Sequence, residues 1–146
     1  MPIFNGYGCN MALRLEPLIR HRLRFDERLP LYAWFEDVDL TRRLGRHGRI
    51  VKLPSARGVH LGIKLGRTSG TRLGYSQVAN PIYLARKGVY PWFRVLRDLS
   101  RHLLVNCVKS IRPERYIDRR GRLRGNARAL RDLLRGRLRP ERILDF

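Results

Sequence analysis

Residues 34–44 read WFEDVDLTRRL and set three carboxylates, Glu36, Asp37 and Asp39, ahead of two arginines, Arg42 and Arg43. Acids first and bases last is the order that complements a helix dipole, so a helix is expected over residues 35–47, with Gly48 as its stop. The cluster stands out because the chain carries a formal net charge of +20, and five of its twelve acidic residues fall between Asp26 and Asp39. Concentrated carboxylates in a basic surround suit chemistry on an anionic substrate, where one acid takes a proton while arginines hold negative oxygens. Helical spacing sets Asp37, Leu40 and Leu44 on one stripe, whereas Asp39 faces Arg42 and Arg43 three and four residues on. Asp39 therefore reads as a helix-pairing acid. Asp37 stands at the open end of the core-facing stripe, where a carboxylate is costly unless it serves a cleft. Two readings of Asp37 stand side by side, a catalytic base and a charge that merely complements the dipole, and the same pair applies to Glu36.

The 146 residues amount to one domain's length, and 43% hydrophobic content is enough for a core. Only four of the 32 basic residues are lysines, so the positive charge is almost all guanidinium, spread through periodic segments. Such a surface favours phosphate-bearing or anionic-lipid partners. Cys9 and Cys107 fit no metal spacing, and two buried thiols in a reducing, cytoplasmic setting are expected. The first residues lack the pattern of a secretory leader. Residues 90–111 are interrupted by Arg94, Arg97, Asp98, Arg101 and His102, so that segment should lie on a surface rather than cross a bilayer.

Two parts are expected, residues 1–88 and 89–146. In the first, residues 50–53 and 58–61 are strand-sized apolar runs, and residues 71–87 form a helix kinked or restarted at Pro81. In the second, Trp92, Leu96, Leu99 and Leu103 recur at helical spacing, and Leu130, Leu133 and Leu134 repeat the pattern before Gly136. Residues 111–126, IRPERYIDRRGRLRGN, read as a basic, turn-rich linker. The fold class that follows is α/β, with a few short strands and helices, then amphipathic C-terminal helices.

Four segments in order, NGYGCNMALR (5–14), FDERL (25–29), EDVDLTRRLGRHG (36–48) and GVHLG (58–62), resemble the C-terminal, acceptor-side half of a family 2 glycosyltransferase of the GT-A fold. The resemblance implies that residues 1–88 are the acceptor half of such a domain. It implies an inverting transfer of sugar from a nucleotide-sugar donor to a glycan or lipid-linked acceptor, with Asp37 as base and Glu36 supporting it. Gly8, Asn10, Asp26 and Glu27 correspond to the acceptor side. His60 corresponds to a histidine that approaches the diphosphate or ligates its metal, and residues 64–72, KLGRTSGTR, resemble a loop closing over the diphosphate, bringing Arg67 and Arg72 toward it. Such enzymes begin with a nucleotide-binding half ending in Asp-X-Asp, which does not precede Asn5, so the chain reads as a fragment. The divalent metal, Mn²⁺ or Mg²⁺, would then be bound mainly by the missing half. Asp37 and Asp39 spell that motif too, but inside the base helix.

Two other classes fit the composition. A basic nucleic-acid-binding module would use the arginines on phosphates, but no zinc-finger spacing or RNP-type motif accompanies them, so no specific nucleic acid is expected. A membrane-surface module would use the amphipathic C-terminal helices, peripheral on the inner face of the cell membrane.

Overall fold

The computed structural model describes residues 1–31, 34–61, 69–112 and 114–146. Five α-helices follow in order, α1 (Leu15–Arg20), α2 (Glu36–Leu44), α3 (Gly70–Arg86), α4 (Trp92–Ile111) and α5 (Arg119–Leu134), and then a 3₁₀ helix, Pro140–Asp145. The chain forms two compact units, Met1–Glu27 with Phe35–Ile63, and Arg28–Trp34 with Lys64–Phe146. Helix α3, although it precedes residue 88, belongs with α4 and α5 in the second.

The expected α/β architecture, a partial GT-A-like fold, is not what forms. Among the described residues there is no strand, only one antiparallel bridge between Pro2 and Val51, flanked by Ile3 N–H to Ile50 O (3.0 Å) and Lys52 N–H to Met1 O (2.8 Å). The physical reason is want of partners. The run 50–53 finds only three residues to pair with, 58–61 has no regular structure, and Val51, Leu53, Val59 and Leu61 are all exposed, so no sheet face is buried.

The second unit is built around α3, in which 13 of 17 residues are buried, Pro81 among them, and the helix runs unbroken through that proline. Its closest neighbour is α5. A Cβ on Gly74 would lie 2.1 Å from the carbonyl oxygen of Arg122, and one on Gly125 would lie 2.1 Å from that of Thr71. The two helix backbones therefore touch where Gly74 and Gly125 lack side chains, and Gly70 lies against Asp118, the cap of α5. This overturns the linker expected over residues 111–126, whose second half is the first half of α5. Asp118 caps that helix, its Oδ1 accepting the N–H of Gly121 at 2.7 Å, a bond of a kind worth about 1 kcal/mol. Gly136, at φ +66°, ends it in the left-handed conformation glycine tolerates.

Three amides in the core pair with one another. Asn106 of α4 donates to Gln77 Oε1 (2.9 Å) and Asn126 Oδ1 (2.8 Å), and Asn126 donates to the carbonyl of Gly74 (2.7 Å). Three helices are thus tied by amides that are costly to leave unpaired. Apolar packing completes the unit through Leu29, Val78, Ala79, Leu84, Val95 and Ala129. Tyr75, wholly buried, donates to Asp132 Oδ2 at 3.0 Å, beside the guanidinium of Arg142.

His102 extends the amide network, with Nδ1 3.4 Å from Gln77 Nε2 and its ring edge-on to Trp34. Burial depresses its pKa below 6.5, and Arg101, Arg122 and Arg119 add to the effect, while Asp98 opposes it. A histidine kept neutral in the folded state but free to charge when unfolded costs stability on acidification. Thermal stability should fall as pH drops from about 7.5 to about 5.5 through the ordinary histidine range. His102→Gln should flatten that decline in melting scans, and an unchanged slope would remove His102 as its cause.

The first unit is smaller. Helix α2, expected over residues 35–47, begins one residue later at Glu36 and stops at Leu44, capped at Gly45. Its buried face comprises Val38, Asp39, Leu40 and Thr41. The cysteines expected to be buried, Cys9 and Cys107, are both exposed. No described helix is long and apolar enough to cross a membrane.

Candidate active site

The residues ahead of α1 lie along α2 in a segment of bends and turns. Phe4 offers its carbonyl to Arg42 Nη1 (3.2 Å) and its ring to the same guanidinium (4.3 Å to the centroid). Two residues on, Gly6 N–H donates to Thr41 Oγ1 (3.0 Å), and that hydroxyl donates to the carbonyl of Asp37 (2.6 Å). Two further on, Gly8 N–H donates to Asp37 Oδ2 (3.0 Å). At Gly6 a Cβ would lie 2.8 Å from Thr41 Cγ2, so glycine is what permits the approach.

Asp37 lies at the exposed end of this seam. Its Oδ1 accepts the N–H of Val38 (2.7 Å), so a backbone donor orients each oxygen, and each keeps a lone pair for an incoming hydroxyl. Glu36 beside it has its pKa raised, first by burial and then by the charge of Asp37. Phe35, immediately before, sits at φ +77°, a left-handed conformation that a bulky side chain rarely adopts and that costs about 1–3 kcal/mol. Strained backbone thus adjoins the acidic pair.

The segment bearing His60 meets the same place. Tyr7 and His60 pack edge to face with centroids 6.0 Å apart, and a Cβ on Gly58 would lie 3.9 Å from Asn10 Nδ2. Three of the four segments picked out in the sequence, around Gly8, Asp37 and His60, are therefore neighbours. Tyr7, Gly6 and Thr41 were not anticipated. The aromatic between two glycines in NGYG was the available signal for Tyr7.

The other candidates are placed elsewhere or less informatively. Asp26, half-buried, and Glu27, exposed, occupy the turn region after α1. Arg72 is in the first turn of α3, in the second unit, and its Nε donates to an oxygen of Phe146. Arg67 lies outside the described residues, and the far end of the expected loop is not loop at all, since Ser69 caps α3 by accepting the N–H of Arg72 at 3.3 Å. Among the described residues no three His, Cys, Asp or Glu side chains converge to hold a metal ion. The residues around His60 therefore do not by themselves fit a metal centre.

Asp39 has the role its spacing implied, but in a different setting. Arg43 grips its Oδ2 through Nε (2.9 Å) and Nη2 (2.6 Å), and the carboxylate is fully buried. It is thus Asp39 rather than Asp37 that enters the core of the unit. Removing one partner of a buried pair strands the other charge, so Asp39→Ala should cost about 3 kcal/mol of stability. Urea titration checks this, and a midpoint unchanged from the parent would contradict it. Neither a protein family, nor a curated protein, nor a solved structure matches the chain.

Proposed function

We propose that the protein takes part in sugar transfer, from a nucleotide-diphospho-sugar to a hydroxyl of a glycan or lipid-linked acceptor, in the cytoplasm or peripherally on the inner face of the cell membrane. The observation that supports this reading is the exposed bond from Gly8 N–H to Asp37 Oδ2, 3.0 Å, which joins the first and third of the segments that resemble a family 2 glycosyltransferase. In this reading Asp37 takes the proton of the acceptor hydroxyl. The oxygen attacks the anomeric carbon in line, and the bond to the diphosphate breaks with its electron pair leaving on the nucleoside diphosphate. Glu36, whose pKa burial and the charge of Asp37 raise, stands beside it in support. Tyr7 offers an aromatic face of the kind sugars stack on, and Asn10 a side-chain amide for a sugar hydroxyl. A divalent metal would neutralise the departing diphosphate, but the described residues supply no site for it, so nucleotide and metal contacts would come from other residues.

The reading is tested with the full-length protein, a panel of nucleotide-diphospho-sugars and a membrane glycolipid extract. Nucleoside diphosphate release matched by equal sugar incorporation is the expected result. Tight, sequence-selective binding of nucleic acid at physiological salt, with no transfer from any donor, would overturn it in favour of a nucleic-acid-binding module.

A further inference from the structure

Helix α4 is apolar on two sides. Val95 is buried, with Leu99 and Leu103 half-buried around it, so half of the strip expected from Trp92, Leu96, Leu99 and Leu103 turns inward, while Trp92 and Leu96 are exposed. A second stripe is left in solvent. Phe93, Leu96, Leu104, Val108 and Ile111 recur at helical steps and are exposed by between 57% (Val108) and 76% (Ile111). Isolated exposed apolar residues need no explanation, but five on one face of a 20-residue helix, interrupted by Arg97 and Ser100, do.

Its surroundings say what covers it. The nearby acids are engaged, Asp98 by Tyr90 and Arg97, and Glu114 by Lys109 and Arg119. Arg101 on α4 and Arg124, Arg131 and Arg135 on or just past α5 are exposed. Arg120 of α5 donates to the carbonyl of Ser110 (3.2 Å), which ties the start of α5 to the end of the α4 stripe. A second copy would bring a net +20 against a net +20, and a nucleic acid offers phosphates but no apolar phase. An anionic bilayer offers both.

We propose that α4 lies in the headgroup plane of an anionic membrane, sinking Phe93, Leu96, Leu104, Val108 and Ile111 into the acyl boundary while arginines of α4 and α5 meet lipid phosphates. The helix rests on the bilayer and does not cross it. This inference stands independently of the sugar-transfer reading, because it uses residues of the second unit alone.

The test is co-sedimentation of the full chain with vesicles of phosphatidylcholine, alone or with about 30% phosphatidylglycerol, at physiological salt. Binding to the anionic vesicles only is expected, with a blue shift of tryptophan emission that Trp92→Phe removes. The double variant Leu104→Asp, Val108→Asp should lower binding by roughly tenfold or more, with helix content by circular dichroism unchanged. Ile111→Ser, at the frayed end of the helix, should give a smaller loss should the double variant misfold. Undiminished binding by both variants would mean charge alone holds the protein, and would overturn the proposal. A dimer that the double variant dissociates, with no vesicle binding by the parent, would overturn it too.

Discussion

Asp37→Asn in the full-length protein is expected to lower sugar transfer by about two to four orders of magnitude, the usual worth of a positioned general base. The fold should tolerate it. An amide keeps one acceptor oxygen for Gly8 N–H or Val38 N–H and loses the other, a cost near 1 kcal/mol. Asp39→Ala should show the reverse pattern, a large loss of stability with turnover per folded molecule preserved, because its carboxylate is spent on Arg43 inside the unit. Steady-state rates set beside urea midpoints separate the two. Equal loss of rate for both variants at equal stability would erase the distinction between base and structural acid.

The largest stability effect is expected from Gly125→Val. Local propensity predicts a gain, since valine is a better helix former than glycine by a few tenths of a kcal/mol. Packing predicts the opposite, because a Cβ there would lie 2.1 Å from the carbonyl oxygen of Thr71 and 2.7 Å from the backbone nitrogen of Tyr75. Backbone cannot rotate away as a side-chain tip can, so α5 must move off α3, breaking the bond from Asn126 to Gly74 and costing about 3 kcal/mol or more. Gly48→Ala serves as the comparison, since its added Cβ would meet nothing within 4 Å. A Gly125→Val protein that unfolds at the parent's urea concentration would mean the helices do not touch there.

What the sequence made legible was what depends on near neighbours. The start of α2, the pairing of Asp39 with Arg43, and the stops at Gly88 and Gly136 follow from spacing within one turn or from a single backbone preference. Long-range consequences were hidden. In the run RRGRLRGNARAL the glycines looked like turn punctuation among solvated arginines, whereas Gly125 on one helix and Gly74 on the other mark two helices in backbone contact. The network of Gln77, Asn106 and Asn126 was not legible, because nothing local shows that three amides satisfy one another. The strand-sized runs failed for the same reason in reverse: their apolar pattern was right for strands, but pairing needs a neighbour, and only Met1–Ile3 supplies one.

At the candidate site, residue types were legible and distances were not. Gly8, Asn10, Asp37 and His60 were picked from segments far apart in the chain, and the seam of Phe4, Gly6 and Gly8 against Arg42, Thr41 and Asp37 explains how they meet. Arg72 was read as part of a loop, while its backbone N–H is taken by the cap of α3 and its side chain bonds Phe146.

If Asp37 takes the acceptor proton as the hydroxyl attacks, the displacement occurs in a single in-line step, and the stereochemistry of the product records it. The most direct measurement is the anomeric configuration of the sugar in the first-formed product, read by proton NMR during turnover of the full-length protein. Inversion relative to the donor is the predicted result. Retention would require a different route at the anomeric carbon and would contradict the assignment of Asp37 as the base.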